Sequence, residues 1–137
     1  MAFTGPFEDR LAIHELVMAY ADAVTNRDAD AWAATWAKDG VWILPTSAAT
    51  AKVEGRDAIV AAWVGAMKNF PNLAAVSTLG VVEVTGDRAR GRAYPRELVI
   101  NADGTTRHDT GRYDDEYVKR DGKWLFKSRT YTRLHSA

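Results

Sequence analysis

The chain has 137 residues, 47% of them apolar and 26% charged, with 18 basic and 18 acidic side chains that cancel formally. That length suits one domain spanning residues 1–137, and the neutral total excludes an overall pull toward nucleic acid or anionic membranes. The absence of cysteine excludes disulfides, thiolate metal sites and cysteine nucleophiles.

Gly5-Pro6 opens a first helix, with Glu8 and Asp9 in its first turn. Ile13, Leu16, Val17, Tyr20 and Val24 recur at helical spacing and define one buried stripe. Asn26-Arg27-Asp28 interrupts the pattern, and Asp28 N-caps a short second helix with Trp32 and Trp36 on its inward face. Lys38-Asp39-Gly40 ends that helix, and Val41–Leu44 reads as a short strand closed by Pro45. A third helix starts near Arg56, turns Ile59, Trp63, Met67 and Phe70 to one side, and stops at Pro71. No apolar run approaches the roughly 20 residues of a membrane span. The opening residues lack a signal-peptide pattern, so the expectation is a cytoplasmic protein without membrane association.

From residue 73 the period changes to two, and three turn signals divide this half into four strands. Thr85-Gly86-Asp87-Arg88 suits a type II′ hairpin and Arg120-Asp121-Gly122-Lys123 a type I′ hairpin. Ala102-Asp103-Gly104 suits a three-residue loop ending in a left-handed glycine. These turns fix a register. It pairs Glu83 with Arg90, Arg90 with Glu116, Arg92 with Asp114, Glu116 with Lys127 and Asp114 with Arg129. One face then carries rows of opposite charge, while Val82, Val84, Ala89, Gly91, Ala93, Tyr113, Tyr117, Trp124 and Phe126 turn toward the helices. The fold expected is α+β, with three N-terminal helices packed on a curved, mainly antiparallel sheet.

Several segments resemble the SnoaL-like family of the nuclear-transport-factor-two-like superfamily. They are Tyr20–Val24 with Asn26–Trp32, Trp36–Trp42, Gly55–Ile59, Gly86–Ala89, Gly111–Tyr117 and Asp121–Trp124. The resemblance implies a cone-shaped barrel open at one end, commonly a homodimer, among relatives that include dehydratases, isomerases, cyclases and non-catalytic binding subunits. It also implies that Tyr20 matches a helix-one Tyr that hydrogen-bonds substrate. The family's catalytic positions are otherwise altered: Thr25 stands where dehydratases have Asp, Leu44 where steroid isomerases have their base, and Ala75–Thr78 contains no His.

The candidate site residues follow from register and chemistry. Tyr20 has a phenol that needs a partner when buried, either backbone or ligand. Glu97 lies opposite Asp109 on the inner face, where facing carboxyls would raise one pKa for acid–base work unless the pair is simply solvated at the sheet's end. Tyr113 and Asp115 share that face, and Asp115, beside Ser128, reads as a satisfied structural carboxylate. His108 falls on the outer face unless a bulge near Tyr94-Pro95 turns it over; some dehydratase relatives carry a catalytic His on this strand. Arg129 reads as a surface partner of Asp114. Thr25, Trp42, Trp63 and Thr78 complete the residues expected around a ligand, with a local cap and core packing as the plainer roles for Thr25 and the tryptophans. His14-Glu15-Leu16-Val17-Met18 fails as a zinc motif at its fifth position. No metal site and no cofactor are expected.

Two functional readings stand beside each other. One is a cofactor-free lyase or isomerase moving a proton on a small apolar or aromatic molecule, with Tyr20 polarising an oxygen and Asp109 or His108 carrying the proton. The other is a non-catalytic small-molecule carrier; a structural subunit with the cone filled by Trp and Tyr is a third.

Overall fold

The computed structural model describes residues 1–45 and 50–137. Its elements run α1 (Phe7–Asn26), α2 (Ala29–Ala33), β1 (Trp36–Pro45), β2 (Thr50–Glu54), α3 (Arg56–Met67), β3 (Asn72–Thr85), β4 (Arg88–Ile100), β5 (Thr106–Arg120) and β6 (Lys123–Ser136). The strands form one curved, unclosed sheet in the order β2-β1-β6-β5-β4-β3, antiparallel except where β1 runs parallel to β6. The helices cover its inner face, and the core lies between them.

The expected caps and turns form. Asp28 accepts Ala31 N–H at 3.0 Å as the N-cap of α2. Arg27 ends α1 with φ 53°, and its guanidinium donates to the Met67 and Phe70 carbonyls at 3.0 and 2.5 Å. One residue thus terminates α1 and ties it to the carbonyls at and just beyond the end of α3. Gly86, Gly104 and the Asp121-Gly122 pair take positive φ, as their turns require.

Two expectations about the middle of the chain are corrected. The second helix stops at Ala33, and Trp36 opens β1. Thr35 makes the switch: its hydroxyl closes the last helical turn on Trp32 O at 2.7 Å, while its own carbonyl accepts Phe126 N–H from β6 at 2.9 Å. Lys38-Asp39-Gly40 therefore lies within a strand. A further strand, β2, pairs with β1 where none was expected.

The register between β5 and β6 also differs from expectation. Tyr117 faces Phe126, but Glu116 faces Ser128, so Lys127 is an extra residue. This bulge reverses the side-chain phase of β6 beyond it. Lys127 swings outward and donates to Asp39 O at 2.9 Å. Arg129 turns inward to face Asp115, and is only 1% exposed. Neither the Glu116–Lys127 nor the Asp114–Arg129 surface pair forms, whereas Glu83–Arg90, Arg90–Glu116 and Arg92–Asp114 are opposed as expected. Further along β6, Tyr131 packs where any side chain at Gly111 would overlap its ring.

Breaking the buried Arg129–Asp115 pair from one side should destabilise the fold strongly. Arg129→Met or Asp115→Leu is expected to cost about 3–5 kcal/mol in urea unfolding, because each leaves its partner buried without compensation. The double variant Arg129→Met/Asp115→Leu should lose less than the sum. At the surface, hydrogen bonds from Arg120 hold the Asp39 carboxyl down to about 2. A lowered folded-state pKa contributes stability above the ordinary aspartate range that disappears as pH falls through the folded value. Arg120→Gln should therefore lower the urea midpoint slightly at neutral pH and by less below about pH 3, because solvent screens the pair.

Candidate active site

Alternation along β5 sends Asp109, Gly111, Tyr113, Asp115 and Tyr117 to the inner face, all of them buried. The bulge adds Arg129 and Tyr131 from β6, and the apolar stripe of α1 adds Tyr20. Arg129 donates to both oxygens of Asp115 at 2.8 and 3.0 Å, and Tyr117 donates to the same carboxylate at 3.0 Å. The guanidinium carbon lies over three rings, 3.7 Å from the centre of Tyr113, 4.0 Å from Phe126 and 4.4 Å from Tyr20. Burial raises the Asp115 carboxyl, against the pull of Arg129 and Tyr117. The Asp115 carboxylate is thus hydrogen-bonded within the protein, with Arg129 in place of Ser128 as its main partner.

The Tyr20 and Tyr113 hydroxyls are 3.4 Å apart. Burial, reinforced for Tyr20 by Tyr113, raises the phenol of Tyr20 well above its ordinary range. Burial also raises Tyr113, although Arg129 acts against it. Both phenols are therefore neutral donors at physiological pH.

Aromatic rings form the surrounding wall. Trp63 stacks on Trp32 at 4.6 Å with planes 13° apart, and Trp42 meets Trp32 at 5.5 Å between ring centres. Trp32, Trp36 and Phe126 are sealed, whereas Tyr20 and Tyr113 at 7% and Trp42 at 6% keep a sliver of accessible surface. Among the described residues, the buried indole N–H groups of Trp32, Trp36 and Trp42 have no hydrogen-bond partner.

Glu97 and Asp109 oppose each other across β4 and β5, as the register predicts. Asp109 accepts Arg107 Nε at 3.1 Å on both oxygens and Ser136 Oγ at 2.5 Å. Burial raises its carboxyl, but Ser136 and Arg107 outweigh that and hold it below the ordinary range. Glu97 is raised, first by burial and then by Asp109.

Three expected site residues lie apart from this cluster. His108 is exposed on the outer face, because the register irregularities involve β3 and β6 and the β4–β5 pairing runs without a shift. Thr78 faces outward opposite Tyr94 and is exposed. Thr25 holds the backbone of β3, donating to Ala75 O at 3.0 Å and accepting Ala75 N–H at 2.8 Å. It therefore bridges two elements and is not a local cap.

Hollows of about 310–570 Å³ lie on the surface, and none of these five is lined by Tyr20, Trp42 or Tyr113. Glu97, His108 and Asp109 border one of about 360 Å³ whose other residues, such as Val76, Arg96 and Thr110, belong to the outer face. Among the described residues no group of three His, Cys, Asp or Glu could hold a metal ion. No described helix is long and apolar enough to cross a membrane.

Arg129 is the site residue that sequence reasoning missed. Its signal was Tyr131, an aromatic residue out of phase with Phe126, which requires a shift of one residue between them.

The fold has many solved counterparts. A candidate aromatic ring hydroxylase from Novosphingobium aromaticivorans is 29% identical, with 96% of this chain and 93% of that one covered at TM-score 0.84. A candidate scytalone dehydratase from the same organism is 20% identical, with coverage of 95% and 87% at TM-score 0.84. A hexachlorocyclohexane dehydrochlorinase from Novosphingobium barchaimii is 19% identical, with coverage of 95% and 89% at TM-score 0.83. The latter two likenesses concern the fold alone. No curated protein matches the chain significantly in sequence. The SnoaL-like domain matches residues 6–130, nearly the whole length, and the chain belongs to that family.

Proposed function

We propose that the protein is a cytoplasmic, cofactor-free lyase or isomerase that moves a proton on a small apolar or aromatic molecule. The observation that carries this reading is the pair of neutral phenols, Tyr20 and Tyr113, 3.4 Å apart among packed aromatic rings, with opposed carboxyls Glu97 and Asp109 toward the strand ends. The phenols donate to a substrate oxygen, with the Trp42 indole N–H as a further donor. A carboxylate of the Glu97–Asp109 pair takes a proton from an adjacent carbon. The C–H electron pair moves toward the oxygen as negative charge that the donors stabilise. Returning the proton to another carbon completes an isomerisation, and departure of a neighbouring group with its electron pair completes an elimination.

The reading as a non-catalytic carrier draws on Thr25, whose hydroxyl is occupied by the Ala75 backbone at the position where dehydratase relatives have an acid. Thermal-shift screening against phenolic, steroid and polyketide-like compounds separates the readings. A ligand at 100 times its dissociation constant adds about 2.7 kcal/mol. Tyr20→Phe should weaken an oxygen-bearing ligand about fivefold, one neutral hydrogen bond. Glu97→Gln or Asp109→Asn should cut turnover about 100-fold or more while retaining binding. Binding without turnover supports the carrier, and failure of every compound class to stabilise the protein sinks both readings.

We also propose a homodimer through the outer sheet face. Among the described residues no helix covers that face, and its rows Glu83–Arg90–Glu116 and Arg92–Asp114 can meet a twofold copy of themselves. Sedimentation at micromolar concentration should give twice the 15.1 kDa chain mass. Arg92→Glu or Asp114→Arg should weaken association more than Arg10→Glu on α1, and a monomeric wild type refutes the proposal.

A further inference from the structure

The two opposed carboxyls have unequal surroundings. Asp109 is 5% exposed, and its oxygens are held by Arg107 Nε and Ser136 Oγ. Both donors favour its ionised form. Ser136 is kept in place by the end of β6, which aligns it with Asp109 and ties His108 to Ala137 through two backbone hydrogen bonds of 2.8 and 2.9 Å. Glu97 faces Asp109 on one side and Ala75 of β3 on the other. It is half-buried, and its charge acts on the phenols of Tyr20, Tyr113 and Tyr131.

We propose that the two carboxyls have different roles, Asp109, pinned by Arg107 and Ser136, being a fixed anion and Glu97 the member that exchanges a proton. Ser136 and Arg107 are then positioning residues that act on Glu97 through Asp109. This assignment rests on the acid–base reading above. In the reaction, the substrate C–H breaks as a Glu97 O–H forms, and Asp109 keeps its charge throughout.

The groups around Glu97 fit this division. Tyr113, Arg107 and Asp109 come from β5, Arg133 and Tyr131 from β6, and Tyr20 from α1, while β3 presents the uncharged stretch Ala74–Thr78. Arg107 and Arg133 act to lower Glu97, but burial and the neighbouring anion prevail. Arg107 gives its Nε hydrogen bonds to Asp109, which concentrates its effect there.

Carbon NMR of the full chain, labelled at Asp and Glu side-chain carboxyls, tests the division by pH titration. In the wild type, Glu97 should titrate above the ordinary glutamate range and Asp109 below the ordinary aspartate range. Asp109→Asn should move Glu97 downward. Ser136→Ala should move Asp109 upward, and Ser136→Thr, which keeps the hydroxyl, should restore it. Ser136 lies in an exposed strand end, so these variants should retain the wild-type amide spectrum. Glu97 titrating at or below the ordinary range, Asp109 being the raised member, or Glu97 failing to move in Asp109→Asn would each overturn the proposal. The titration needs no substrate. The expected pattern without turnover therefore counts against the acid–base reading and leaves the division of charge standing.

Discussion

A guanidinium sealed among aromatic rings governs the interior of this protein. Removing Arg129 and Asp115 from water costs several kcal/mol per ion. That cost is offset only by their two mutual hydrogen bonds, the Tyr117 hydroxyl and the three rings beneath the cation. Each compensating group has a fixed direction, so the pair fixes where α1, β5 and β6 meet. Tyr20 and Tyr113 take their positions from the same cation. Its charge is already matched by Asp115, so what it contributes to the packed rings is orientation.

Electrostatic contrast then follows depth. The inner region combines a neutralised ion pair with phenols that burial keeps protonated, while the strand ends carry carboxyls with different partners. Buried phenols and hydrogen-bonded carboxyls thereby occupy separate places along the inner face, which on β5 passes from Asp109 through Gly111 to Tyr113. Gly111 is the hinge of that arrangement, because its missing side chain makes room for the Tyr131 ring between the two regions.

Much of the fold was legible because its signals are local. Pro6, Asp28, Gly86, Gly104 and Asp121-Gly122 act within a few residues, and they set the start of α1, the cap of α2 and three of the strand connections. The inner residues of β4 and the Glu97–Asp109 pairing followed from counting out from those turns. The failures occurred where distant contacts overrode a local pattern. Trp36 keeps helical spacing from Trp32, yet Thr35 hands its carbonyl to β6 and the chain extends. Lys127 and Arg129 keep the alternation set by the last hairpin, yet Lys127 is drawn to Asp39 and Arg129 to Asp115. A single bulge thus exchanged a surface ion pair for a buried one, and the candidate site lost sight of its only buried cation among the described residues.

Thr25 has an effect beyond fastening α1 to the sheet. β3 is an outermost strand, and Ala75 would otherwise present both an amide and a carbonyl sideways to solvent. Further along the same border, Thr4 bonds to the backbone of Val82 and Val84. Unoccupied borders of this kind recruit strands from other molecules and seed aggregation. By saturating Ala75 with one hydroxyl, and the far end with an N-terminal residue, the chain makes its border a poor template for foreign strands. The Thr25 side chain thereby occupies backbone groups at the sheet's rim that would otherwise be open.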